Sequence, residues 1–186
     1  MKSSSAVTGP VFSLRNVAST SGRLDVICRS ILSAFLVDGV IRRDVVFYGS
    51  LWGPPEPPKL LTVTGSALRF LPNDEVYVAR VIRELFLDGD VPDGFKVERK
   101  SFDDLIYSIR RMGVKLFYLH EEGLLIKGVD FDVEGDYGFI LGDQLGLDVK
   151  SERLLSSLGI RRISLGPVSY LASQCILIVN NHLDRL

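Results

Sequence analysis

The chain has 186 residues, 46% apolar and 24% charged, with 22 Lys and Arg against 23 Asp and Glu. That is the size and make-up of one ordinary domain with a sizeable core; it excludes a disulfide-stapled mini-protein, a coiled coil, a collagen-like chain and a disordered tail. The formal charge of −1 gives no global field for a polyanion, and a mean hydropathy of +0.22 without a run near the ~20 apolar residues of a membrane span points to apolar surface at a subunit interface.

The first predicted element is a helix over residues 21–37, where Leu24, Ile27, Ile31, Ala34 and Phe35 recur at helical spacing and Asp38-Gly39 stops it. A strand follows over 44–48, then the proline-rich stretch 53–58, which cannot be helix. Residues 60–63 and 67–70 flank Thr64-Gly65-Ser66 and read as a hairpin. Pro72-Asn73-Asp74 opens a helix that carries Val78, Val81, Ile82, Leu85 and Phe86, and residues 88–94 form a solvated loop. Ser101, with Asp104 three residues on, caps the next helix, and Gly113 ends it. The last third alternates. Strands are expected at 114–119, 137–141 and 162–165, a short helix at 151–158 closed by Gly159, and a final helix over 170–186 with Leu171, Cys175, Ile178, Val179 and Leu183 on one stripe. Apolar-centred strands alternating with helices predict one α/β domain with a mainly parallel sheet covered on both faces.

Several chemistries are struck off by absence. No G-x-G-x-x-G follows a strand and no G-x-x-x-x-G-K-[ST] occurs, so neither a dinucleotide fold nor a P-loop is indicated. The only histidines, His120 and His182, are far apart, and Cys28 and Cys175 lack metal-ligand or disulfide spacing, so no metal site is expected. The residues behind Met1-Lys-Ser-Ser-Ser do not form a secretory signal, and a reducing cytoplasm is the default expectation.

Two groups of residues remain. Gly142 and Gly146 follow one predicted strand and Gly166 another, at the carboxyl ends where open α/β sheets bind ligands; tight strand-to-helix turns use glycine equally well. Gly22-Arg23-Leu24-Asp25 begins the first helix with Arg29 one turn on, followed later by Arg42-Arg43, an arrangement suited to phosphate but also to a surface i,i+4 ion pair. Residues 1–60 hold seven Lys and Arg against four Asp and Glu, whereas the remainder holds fifteen against nineteen, so the first third is the expected face for nucleic acid. Tyr48 and Trp52 could stack on a base there.

At these positions the chain resembles a known family. Gly22-Arg23-Leu24-Asp25 with Arg29, Ile41-Arg42-Arg43-Asp44 through Tyr48, Phe117-Tyr118-Leu119-His120, Ile140-Leu141-Gly142-Asp143, and the run from Arg162 through Cys175 to Arg185 stand in the order found in archaeal tRNA pseudouridine-54 N1-methyltransferases, members of the SPOUT superfamily of S-adenosylmethionine-dependent RNA methyltransferases. The resemblance implies a knotted α/β sheet with helices on both faces, forming a single domain over 1–186, with a C-terminal trefoil knot over about residues 137–186. It also implies a homodimer packed through the knot, tRNA as partner, and S-adenosylmethionine (SAM) held mostly by backbone. By the same resemblance Leu119, Gly142, Ser164, Leu165, Gly166 and Cys175 line the cofactor site. For methyl transfer to N1, the carboxylate and arginines gathered in the net-basic first third are the expected machinery: Asp25 to orient or accept the N1 proton, Arg23 to hold the base or a phosphate, and Arg29, Arg42 and Arg43 to grip the RNA. Gln144 stands where the family carries histidine, and residues 166–174 look closer to bacterial relatives, departures that touch the RNA target more than the cofactor. A relative acting on a ribosomal pseudouridine or a ribose, or a non-catalytic RNA- or SAM-binding relative, would share the same cofactor residues.

Overall fold

A computed structural model describes residues 1–186. In chain order it places β1 (Lys2–Ser3), α1 (Val17–Thr20), α2 (Leu24–Phe35), β2 (Leu36–Val37), β3 (Val40–Ile41), β4 (Val46–Leu51), β5 (Lys59–Thr64), α3 (Glu75–Leu85) and β6 (Phe95–Glu98) in the first half. The second half holds α4 (Phe102–Arg111), β7 (Lys115–Leu125), a 3₁₀ turn (Ile126–Gly128), β8 (Tyr137–Ile140), α5 (Val149–Ser157), β9 (Arg161–Ser164) and α6 (Ala172–Leu183).

The second half matches the expected α/β layering. β8, β7 and β9 form a parallel sheet with β7 in the centre. Because side chains alternate across a strand, Tyr118 faces Phe102, Ile106 and Leu155 from α4 and α5, while its neighbour Phe117 packs on the other side with Ile163 of β9 and Val179 of α6. Both faces are therefore covered. Each helix begins with local chemistry readable in the sequence: Ser101 Oγ accepts the Asp104 amide at 3.1 Å, Asp148 accepts the Ser151 amide at 3.0 Å, and Gln174 Oε1 accepts the Leu171 amide at 2.9 Å.

The first half corrects the expectation of a mainly parallel sheet. The order is β1-β4-β5-β6, with β5 antiparallel to both β4 and β6. The connection between β4 and β5 is the short proline-rich stretch, and a parallel return would need a crossover of a dozen or more residues. The expected hairpin is also absent. Residues 65–67 turn, and Gly65 is drawn against the segment before β4, where its amide bonds Val45 O at 2.9 Å and an added Cβ would lie 2.2 Å from Arg42 O. β6 and β1 were not foreseen. Lys2 bridges Gly142 in parallel and donates its amide to Leu141 O at 2.9 Å, so β1 joins the two sheets edge to edge.

The largest core cluster lies under α2, whose Leu24, Ile27, Ile31 and Phe35 are at most 1% exposed. α6 lies against the same helix, and Asn180 Nδ2 donates to Ser33 O and Ala34 O at 3.4 Å each. That contact is at the carboxyl end of α2, and Ala172, Cys175 and Ile176 from the first turns of α6 pack against the same core cluster.

Candidate active site

The middle of β7 (Tyr118–Glu122) and the carboxyl ends of β8 and β9 open into a cavity of about 710 Å³, closed on one side by the first turns of α2 and on another by the segment leading into α6. Its size suits a nucleoside-sized ligand. Leu119, Gly142, Ser164, Leu165, Gly166 and Cys175 all line it, as do Arg23 and Arg29. Thus eight of the residues singled out in the sequence converge on one cavity from five separate elements or loops.

Backbone geometry makes the cavity. The Gly142 turn folds onto Gly146 so closely that a Cβ at Gly142 would sit 2.2 Å from the Gly146 carbonyl carbon, which gives this glycine a packing reason of its own. Asp143 is buried and pins the turn: it accepts Ser3 Oγ at 2.6 Å, the Ser4 amide at 3.0 Å and the Leu145 amide at 2.9 Å. Gly166 differs. Its φ of 138° is a conformation side-chain-bearing residues rarely adopt, yet open space surrounds the position a Cβ would take. Beyond it the amides of Val168, Ser169 and Tyr170, on the same wall, have no hydrogen-bond partner in the chain. A wall of free amides and glycine suits a polar ligand held by main chain.

The amino end of α2 supplies the charge. Gly22 is required there, since a Cβ would meet Ser5 O at 1.8 Å; Arg23, the N-cap residue, takes φ 70°, rare for a non-glycine. Arg23 Nε and Nη2 donate to the two oxygens of Asp25 at 3.0 Å each, and Arg29 Nη2 donates at 2.7 Å. Asp25 is buried, 7% exposed at its side chain, whereas Arg23 and Arg29 are 45% and 38% exposed. Burial pushes the Asp25 carboxyl up, but the bonds and charges of Arg23 and then Arg29 outweigh it, and the group titrates below its ordinary range. The carboxylate lies behind the cavity wall with two guanidinium groups in front of it. It is a poor proton acceptor and a strong clamp.

Arg42 and Arg43 lie elsewhere. Arg42 makes a bidentate pair with Asp184 just beyond α6, with one bond of 2.8 Å, and Arg43 donates to Leu68 O and Gly65 O. Neither lines the cavity. Trp52 is also internally engaged, its Nε1 on Ser50 Oγ at 2.9 Å and Lys2 Nζ 4.7 Å from the ring centroid.

Sequence reasoning passed over a polar group on the α5 side of the cavity. Tyr118 Oη donates to Glu152 Oε1 at 2.7 Å, and the Arg162 guanidinium lies between Glu152 and Glu122, 3.8 and 3.7 Å away. Burial and the Glu152 carboxylate hold the Tyr118 phenol far above its ordinary range, so it remains a donor. His120 lines the cavity two residues on, and its Nδ1 accepts the Glu122 amide at 3.2 Å, leaving Nε2 to meet a ligand. The available signal is position alone, directly after the strand expected at 114–119, which in the fold continues through His120 to Leu125. Cys175 Sγ approaches Tyr170 O at 3.8 Å, and burial raises its thiol above the ordinary value, which makes it a wall residue rather than a nucleophile.

Residues 1–186 match the family described as "Putative SAM-dependent RNA methyltransferase". The tRNA (pseudouridine(54)-N(1))-methyltransferase of Methanococcus vannielii is 37% identical over 193 residues, covering 100% of this chain and 97% of the relative. The protein of the same name from Thermococcus gammatolerans is 37% identical over 200 residues, covering 100% and 96%. Among solved structures, Archaeoglobus fulgidus Nep1 bound to S-adenosylhomocysteine superposes with a TM-score of 0.62 at 18% identity, over 89% of this chain and 71% of that one, which is a likeness of fold. With a family match over its whole length and relatives above one-third identity at near-complete coverage, the chain belongs to this family of SAM-dependent RNA methyltransferases.

Proposed function

We propose that the protein methylates N1 of pseudouridine 54 in the tRNA T-loop, the reaction for which its relatives are named. The reading rests on one observation: the residues expected to hold SAM and the Arg23–Asp25–Arg29 clamp meet at a single cavity. In pseudouridine the glycosidic bond runs through C5, so N1 carries a proton and can be alkylated once that proton passes to solvent water. SAM, when bound, supplies an electrophilic methyl group. The free amides of 168–170 and the backbone at Leu119, Gly142, Leu165 and Gly166 hold it against the parallel sheet, with Ser164 and Cys175 completing the wall.

Asp25 acts as the orienting group. Tied to two arginines, it keeps their guanidinium groups at the cavity, where Arg23 stabilises the negative charge that develops on the base as N1–H is lost. Arg29 serves a neighbouring phosphate or the same base. Positioning N1 in line with the methyl group supplies much of the acceleration, and the base is turned out of its loop to reach the cavity.

The same reading takes residues 1–186 as one domain, with a knot over about 137–186 and a homodimer packed through it. Its support is that Val179 of α6 packs onto Ile126, Val129 and Phe131 of the excursion after β7, and that Leu124, Leu125, Leu171 and Leu177 are 47–65% exposed. No helix is long and apolar enough to cross a membrane, and the cytoplasm, where tRNA is met, is the proposed location. The test is mass spectrometry of tRNA nucleosides after incubation with protein and SAM. Methylated pseudouridine is expected from tRNA carrying pseudouridine 54 and none from the same tRNA with uridine there; methylation of both, or of neither, overturns the proposal.

A further inference from the structure

The arginines that the sequence set aside for gripping RNA are partly committed within the chain, which leaves open where the cationic surface lies. At the opposite pole of the parallel sheet, the amino ends of β7 and β9 and the carboxyl end of α4 enclose a cleft of about 350 Å³. Arg110, Lys115 and Arg161 line it, and none of the three forms an ion pair or a side-chain hydrogen bond with any protein group. Arg111 stands beside Arg110 in the last turn of α4.

Basic residues in a last helical turn offset the helix dipole, which accounts for Arg110 and Arg111. Lys115 and Arg161 are strand residues, and their cationic groups sit over aromatic rings, 5.8 Å from the Tyr137 centroid and 5.4 Å from the Phe117 centroid. These rings fix the two cations in place without neutralising them. Gly113 and Gly159, with positive φ, turn the chain at the rim, and nothing lies within 4 Å of where their Cβ atoms would be, so the cleft is open to something as broad as a backbone. In a chain of net charge −1, a ring of unpaired cations is a local exception.

We propose that this basic pole binds phosphodiester groups of the RNA substrate, away from the nucleotide being modified. The inference rests on the RNA-methylation reading and deepens it. Four residue steps of β7, about 13 Å, separate Lys115 from Leu119 at the cavity, so a folded RNA with a base in the cavity reaches the pole through a different part of its body, whereas a lone loop nucleotide does not. Each phosphate contact contributes to affinity through counterion release and steepens the salt dependence by about 0.7–0.9 on a log–log scale.

The experiment compares Lys115→Gln/Arg161→Gln with wild type, and with the charge-retaining Lys115→Arg/Arg161→Lys, using full-length tRNA and an isolated T-arm stem-loop. Fluorescence anisotropy is measured across a salt series and methyl transfer in the steady state. The glutamine variant is expected to bind full-length tRNA about tenfold more weakly with a salt slope flatter by about 1.5, while kcat on tRNA and kcat/KM on the stem-loop stay at wild-type values. The charge-retaining variant should behave as wild type, which separates lost charge from lost packing. Unchanged tRNA affinity and slope would overturn the proposal, as would equal losses on both substrates, which would move the contact to the T-arm itself. If wild type methylates neither RNA, the proposed reaction fails, while the tRNA binding curves still report on the basic pole.

Discussion

Replacing Asp25 with asparagine separates a clamp from a base. The carboxylate is 7% exposed and accepts three charge-assisted hydrogen bonds, two from Arg23 and one from Arg29. Bonds to charged groups contribute about 1.5–3 kcal/mol each, but Arg23 and Arg29 are 45% and 38% exposed, so screening reduces the total. Asparagine keeps an acceptor for one of them, and a net loss of about 2 kcal/mol is expected, or roughly 4–8 °C in Tm for a chain of this length. The loss has a sign in pH. The folded carboxyl titrates below its unfolded value near 3.9, so its contribution is complete above that value and disappears as pH falls through the folded pKa. Wild type and Asp25→Asn should therefore differ by a constant amount from pH 5 to 7 in urea unfolding and converge below about pH 4. In radiolabelled methyl-transfer assays, Asp25→Asn should retain about a tenth of kcat, because Arg23 still has a partner holding its unusual φ, whereas Asp25→Ala should retain much less. If Asp25→Asn is as inactive as Asp25→Ala and the rate of wild type rises with pH along a limb that both variants lack, Asp25 is the proton acceptor and the clamp argument is wrong.

Three further outcomes follow from the same geometry. Gly166→Ala places a side chain at φ 138° without a steric clash, so the loop relaxes to a different backbone and SAM affinity by calorimetry should fall about tenfold, or 1.4 kcal/mol, while unchanged binding would show that the main-chain conformation does not matter. A double-mutant cycle of Arg42→Ala with Asp184→Ala should give a coupling of about 0.5–1 kcal/mol in urea unfolding, since Asp184 is 45% exposed, with tRNA affinity at the wild-type level; a selective loss of tRNA binding in Arg42→Ala would return that arginine to the RNA surface. Asp148, which burial raises but Lys2 and Ser151 lower further, titrates at about 2, so the stability advantage of wild type over Asp148→Asn should be constant above pH 4 and vanish as pH falls through about 2; an advantage that persists at pH 1.5 would refute the assignment.

What could be read from the sequence divides along the range of the interactions. α2, α3, α4 and α6 were visible because an apolar stripe, a cap and a stop all lie within one stretch of chain, as with Leu24 to Phe35 or Ser101 to Gly113. Of the six residues expected at the cofactor, Gly142 and Gly166 stand out as glycines at strand ends, while Leu119, Ser164, Leu165 and Cys175 come through resemblance, since a wall of amides leaves no side-chain signature; Gly142 also has a packing reason in its contact with Gly146. What escaped depends on pairing across long separations. β1 is two residues of Lys and Ser, unreadable as a strand until Gly142 and Ser50 stand on either side of it. Arg42 and Arg43 were counted as free charge because Asp184 and the carbonyls of Leu68 and Gly65 are partners only in the fold. The basic pole was missed for the converse reason: Arg110 and Lys115 lie 46 or more residues from Arg161, in the two-thirds of the chain whose net charge is negative. Net charge over a sequence window carries no sign of this cleft, because ion pairing is decided by tertiary neighbours. A count of cations left unpaired after folding is the quantity that an RNA phosphate meets.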